Sequence, residues 1–181
     1  MMESAEKIVR AAPASLKIIH YPDPRLSEAC TPLDRVDQDV SAFVERMFEL
    51  MFEGKGVGLA APQVGVTVSL FVTSPAYDRA DRNVYINPQI LSTEDSRESE
   101  EGCLSVPGIN CRIKRAAAVT VRALNLAGEP FEQTLDDLAA RVVQHEADHL
   151  DGRTIVDRMG TVARMTHRRQ LKDLREKFRM P

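Results

Sequence analysis

Residues 136–152 read DDLAARVVQHEADHLDG, and everything else is arranged around how this stretch is read. On a 3.6-residue period, Leu138, Val142, His145 and His149 fall on one stripe. Ala139, Val143, Glu146 and Leu150 form the adjacent stripe, and Arg141, Gln144, Asp148 and Asp151 lie on the opposite side. The segment therefore reads as a helix over 136–150, capped by Asp136 and closed by Gly152. Its two histidines continue the apolar face and point inward, with a glutamate beside them. Two imidazoles one turn apart, aimed at one point in a dry pocket, are what a metal ion needs. The plainer alternative, core histidines satisfied by carbonyls, suits a lone histidine better than an i, i+4 pair around a glutamate.

Outward from this helix the chain reads mostly as strand. AAAVTVRALN (116–125) alternates, NLAGEP turns, and FEQTL returns as a hairpin. VTVSLFVT (66–73) and VYINPQI (84–90) read as further strands, with AYDRADRN as the loop between them. Val40, Phe43, Val44, Met47, Phe48 and Met51 make one face of a second helix, with Asp37 or Asp39 to cap its start and Gly54 to end it. LKII (16–19) reads as a short strand before the turn-rich HYPDPRL. GKGVGLAAPQVG (54–65) is too rich in glycine and proline for a regular element. STEDSRESEE (92–101) reads as a solvated acidic edge or loop, and a last helix is expected over 161–178. Strands are not interleaved with crossover helices. The expected class is α+β, with mainly antiparallel sheets around the central histidine-bearing helix and a C-terminal helix.

The 181 residues suffice for one domain with its own core, spanning 1–181. With 43% hydrophobic and 28% charged residues and a net charge of −3, the chain offers no overall basic field, so no direct nucleic-acid specificity is expected. No apolar run approaches the ~18 residues of a membrane span, and no membrane partner is expected. The opening MMESAEKIVRAAPASLK lacks the apolar core of a signal peptide. Three cysteines are too few and too odd in number for a disulfide framework. The expectation is a cytoplasmic, reducing setting, where a functional cysteine is more often a ligand or nucleophile than a staple.

A tetrahedral catalytic metal takes three protein ligands and keeps one position open. Downstream of the histidines, His167 sits in a basic tail and Glu176 in no ligand pattern. Upstream, Cys103 lies in EGCLSVP (101–107), after a glycine that lets backbone approach closely, and is the better third ligand. Cys30 and Cys111 read as packing residues.

GVGLAAPQ (56–63), EGCLS (101–105) and QHEADH (144–149) together resemble, in order and spacing, the signature motifs of the peptide deformylase family. HYPDPRL and INP (86–88) add to the likeness. H-E-x-x-H alone is shared with many zinc peptidases, and Cys103 speaks against one that cuts internal peptide bonds. The resemblance implies an enzyme that removes the formyl group from N-formylmethionyl nascent peptides, releasing formate. It implies Cys103, His145 and His149 as metal ligands and Glu146 as general acid and base. It implies Gln63 and the Leu104 amide as donors to the carbonyl oxygen. Gly58 matches a backbone position that pairs with substrate, and Val57, Leu138 and Val142 match the lining of the methionine pocket. Gly102, like Gly58, lets backbone crowd a formyl group that carries only hydrogen. Asn110 stands where some bacterial members carry an arginine, and Ser99 where some carry a branched apolar residue.

A formamide is a poor electrophile and neutral water a poor nucleophile. A metal with an open position lowers the pKa of its bound water to roughly 7. Glu146 would take the proton as this water attacks and deliver it to the leaving amine. One thiolate and two neutral imidazoles make a site soft enough for iron, zinc, nickel or cobalt, and the resemblance implies Fe(II) natively. Asp148 reads as a salt-bridge partner for Arg115, tying the helix to the segment after Cys103. The tail from Arg164 to Pro181 carries seven basic residues against Asp173 and Glu176. It reads as a solvated cationic helix or, as the resemblance implies, a ribosome contact.

Overall fold

The computed structural model describes residues 13–178. The opening segment before residue 13, and Arg179 of the basic tail, lie outside the described residues. Among the described residues no helix is long and apolar enough to cross a membrane.

Helix α1 spans Gln38–Glu53. Asp37 caps it by accepting from the Asp39 and Val40 amides at 3.1 and 3.2 Å, and Gly54 takes the C-cap. Its stripe of Val40, Phe43, Val44, Met47 and Met51 is buried, as the spacing predicts. Strands β1 (Gly58–Ala60), β2 (Leu70–Thr73), β3 (Asn83–Glu94), β6 (Ala118–Leu124) and β7 (Pro130–Asp136) form an antiparallel sheet in that order, so β1 is an edge. Strands β4 (Arg97–Gly102) and β5 (Asn110–Arg115) make a separate antiparallel pair. Helix α2 runs Asp137–Leu150.

The period of two along the sheet explains the layering. Leu59, Leu70, Val72 and Ile86 point to α1 and share its core. Their neighbours Ala60, Phe71 and Tyr85 point the other way and pack with Ala140, Val143 and Leu150 of α2. The sheet is thus covered on both faces, and β2 is buried at every position. Each fully buried large side chain such as Phe43 or Phe71 contributes about 1.5–3 kcal/mol by leaving water. The architecture is α+β with antiparallel sheets around the histidine-bearing helix, and a C-terminal helix follows.

Several local expectations give way to tertiary pairing. The glycine- and proline-rich 54–65 stretch contains β1 and a 3-10 turn, Ala61–Val64, because Gly58, Leu59 and Ala60 pair with Thr73, Val72 and Phe71. The acidic 92–101 stretch is not a loop. Its first residues end β3 and its last form β4, held by pairing with β5. VTVSLFVT is a strand only from Leu70, and Val66 and Val68 are buried in the approach to it. LKII forms no strand. It makes single links instead, such as the Ile19 amide to the Gln63 carbonyl at 2.8 Å. Asp136 precedes α2 without a side-chain cap bond. The expected last helix is broken at His167 into α4 (Thr161–Thr166) and α5 (Arg168–Lys177), preceded by a short α3 (Ile155–Arg158). Leu171 and Leu174 of α5 pack with Ile109, Cys111 and Ile113 in a third core beneath the Cys103 segment.

Candidate active site

The histidine helix, the β1 edge and the Cys103 segment converge on a cleft of about 640 Å³. Its lining includes Val57, Gly58, Gln63, Gly102, Cys103 and Leu104, and from α2 Leu138, Val142, His145 and Glu146. The ligand atoms of Cys103, His145 and His149 lie within 4.8 Å of one another, and Cys103 Sγ is 3.3 Å from His149 Nε2. One soft sulfur and two imidazole nitrogens at this separation fit a single divalent ion. The electrostatics fit as well. Burial resists charge on His145, yet contacts with Cys103 and Glu101 outweigh it and raise its pKa to about 10. The pocket favours a cation at this point. Burial, and then the charge of His145, keep His149 neutral, with a pKa well below the usual histidine value.

Glu101 is the residue the sequence reading missed. Its carboxylate accepts from Arg115 Nε and Nη2 at 2.7 and 2.9 Å, from Arg141, and from His145 Nδ1 at 3.0 Å. Burial works against its charge, but the His145 and Arg115 hydrogen bonds hold its pKa at about 2. An ionised carboxylate only accepts, so His145 keeps a proton on Nδ1 toward Glu101, and a metal ion would take the place of the second proton, on Nε2. Arg115 also donates to Asp148 at 2.8 Å, as expected, and Arg158 donates to the same carboxylate at 2.9 Å. Arg141 and Asp148, read as lying on the outer side of the helix, are both buried. Each is drawn in by an ionic partner. A signal for Glu101 did exist: Ser99, Glu101 and Cys103 alternate, and Ser99 and Glu101 stand opposite Ile113 and Cys111 of the third core.

Glu146 is buried, and its Oε2 has no hydrogen-bond partner among the described residues. Burial raises its pKa to about 7, against the pull of His145 and Arg115. Gly58 sits against it, since a Cβ at 58 would collide with the Glu146 carboxylate and stand 2.9 Å from Val142. A Cβ at Gly102 would stand 2.5 Å from Asn110 Oδ1. Gln63 is oriented by its own backbone neighbour. Its Oε1 accepts from the Ala60 amide at 2.7 Å, which turns Nε2 toward Ser105 Oγ at 3.3 Å and Cys103 Sγ at 3.5 Å. Val142 is buried and Leu138 half exposed, and both line the cleft, on the ligand side where their stripe places them. Cys30 and Cys111 pack in the second and third cores, and burial raises both thiols, Cys30 to about 12.

The family model for polypeptide deformylase matches residues 15–165. The chain belongs to the polypeptide deformylase family. It is 43% identical over 162 residues to the peptide deformylase of Alkalilimnicola ehrlichii, covering 89% of this chain and 91% of that one. It is 41% identical to the Pseudomonas aeruginosa peptide deformylase over 87% of this chain and 95% of that one. Among solved structures, a plant peptide deformylase superposes with a TM-score of 0.88 at 38% identity, over 91% of each chain. The Plasmodium falciparum peptide deformylase superposes with a TM-score of 0.87 at 32% identity, over 90% of this chain and 96% of that one. Like other deformylases, this family member is a hydrolase. The three deformylase-like motifs all contribute to the cleft wall.

Proposed function

We propose that this deformylase removes the formyl group from the N-terminal formylmethionine of newly made polypeptides, releasing formate. The observation that carries this reading is a buried carboxylate with an unpartnered oxygen, raised to about 7, beside a Cys–His–His cluster in a cleft. Cys103, His145 and His149 would hold one divalent ion, Fe(II) natively, with zinc, nickel or cobalt compatible with the same donors. When bound, the ion supplies a Lewis acid and a water activated at neutral pH.

The chain's own groups do the rest. Glu146 accepts a proton at Oε2 as water attacks the formyl carbon, and passes it to the departing amine nitrogen. Its raised pKa suits both directions of transfer near pH 7. The Gln63 amide group and the Leu104 backbone N–H donate to the formyl oxygen as it becomes negative. Gln63 is held before substrate arrives, by the Ala60 amide. Val57, Leu138 and Val142 receive the methionine side chain, Leu138 as a half-exposed lip. β1 lies at the sheet edge, so Gly58 offers its backbone to an extended peptide. Gly102 adds no side chain of its own to the cleft lining. The whole chain acts as one catalytic domain, and the tail cations Arg168, Arg169 and Lys172, all exposed, would meet the ribosome.

Formate release from a formyl-Met peptide, measured on anaerobically purified protein before and after chelation, tests the reading. Release that is lost on chelation and regained with Fe(II) is expected. Cleavage of unformylated peptides with no formate produced would overturn it.

A further inference from the structure

Two residues lining the cleft, His20 and Gly108, take no part in that mechanism, yet both are gripped from outside by α5. Phe178, which caps α5, stacks on the His20 ring at 4.4 Å between centroids and 17° between planes. Gln170 Nε2 donates to the Gly108 carbonyl at 3.2 Å. Between them, Arg175 Nε donates to the Tyr21 hydroxyl at 2.8 Å and its guanidinium lies over the same ring. Helical spacing puts these three on the face that carries the buried Leu171 and Leu174.

The segment they hold is tied to the reacting centre. The Ile19 amide donates to the Gln63 carbonyl and the Tyr21 amide to the Ser105 carbonyl, each at 2.8 Å. Ser105 Oγ in turn accepts from Gln63 Nε2. Residues 19–21 therefore strap the Gln63 turn to the Cys103 segment, and α5 clamps the strap.

We propose that α5 is a positioning element of the substrate cleft. Through Phe178, Arg175 and Gln170 it fixes a wall, His20 and Gly108, against which the peptide beyond the formylated residue lies. This rests on the deformylase reading. None of the three positioning residues lines the cleft. They act through that wall, so their loss removes binding that is the same in ground and transition states. Such a loss raises KM and spares kcat. A substrate too short to reach the wall is indifferent to it.

The test is a Gln170→Ala/Phe178→Leu double variant of the full-length, metal-loaded enzyme. Leucine keeps apolar volume over the third core while removing the ring stack. KM for a formyl-Met hexapeptide should rise roughly fivefold with kcat held within about twofold, and KM for a formyl-Met dipeptide should stay put. Phe178→Tyr alone, which keeps the ring over His20, should leave the hexapeptide KM at the wild-type value. If the double variant loses thermal stability, Gln170→Ala alone, a surface change, carries the test with a KM rise of about twofold. An unchanged hexapeptide KM would sink the proposal alone. So would an equal loss of kcat for both peptides, the mark of general loosening. A wild type that releases no formate would sink the deformylase reading, and this proposal with it.

Discussion

Glu101 and Glu146 are both buried in one site, and their surroundings differ in kind. Glu101 accepts from Arg115, Arg141 and His145, and stays ionised with a pKa of about 2. Glu146 keeps an unpartnered oxygen, and burial raises it to about 7. Burial alone does not set the role of a carboxylate. The number of donors around it does. A saturated carboxylate orients its neighbours, and an unsaturated one is left able to carry a proton.

The comparison can be broken at several points. Gln63→Ala removes a prepositioned donor without touching either glutamate, and kcat should fall about 100- to 1000-fold. A drop of less than about tenfold in steady-state formate release would deny Gln63 that role. Gly58→Ala puts a methyl where the Glu146 carboxylate stands and should cost on the order of 100-fold in rate by displacing it, with Tm and metal content little changed. Equal activity would mean that the Glu146 position is not critical. Asp148→Asn leaves Arg115 and Arg158 facing a neutral amide on the ionic side of α2. Denaturant unfolding should show a loss of about 3 kcal/mol, together with weaker metal retention. Unchanged stability and metal content would remove Asp148 from the account. Arg97→Ala breaks an ion pair with Asp137 that is mostly exposed on both sides, and the same assay should move by less than about 1 kcal/mol. A larger shift would mean that exposed pairs hold this fold as firmly as buried ones.

What could be read from the sequence was what repeats or is chemically unusual. The α1 stripe and the His–Glu–His helix follow from spacing, while the choice of Asp37 over Asp39 as the α1 cap needed the structure. Glu101 was hidden because RESEEG looks like water-loving sequence, and only pairing with β5 turns every second residue inward. Arg141 and Asp148 look solvated on a helical wheel, and they become buried only once Glu101 and Arg115 are known to face them. β1 could not be seen, since three residues among glycines become a strand only beside β2. His20 and Gly108 reach the cleft through α5, a contact spanning 154 residues between Tyr21 and Arg175 that no local pattern announces.

The most direct test sets Glu101→Gln beside Glu146→Gln, with metal content and formate release measured on the same anaerobic preparations. The account predicts that Glu146→Gln keeps its metal and loses release by about 100- to 10,000-fold. It predicts that Glu101→Gln binds metal about 10- to 100-fold more weakly and regains much of its activity when metal is supplied in excess. The reverse pattern, with metal lost from the Glu146 variant and activity lost from a fully metallated Glu101 variant, would contradict it.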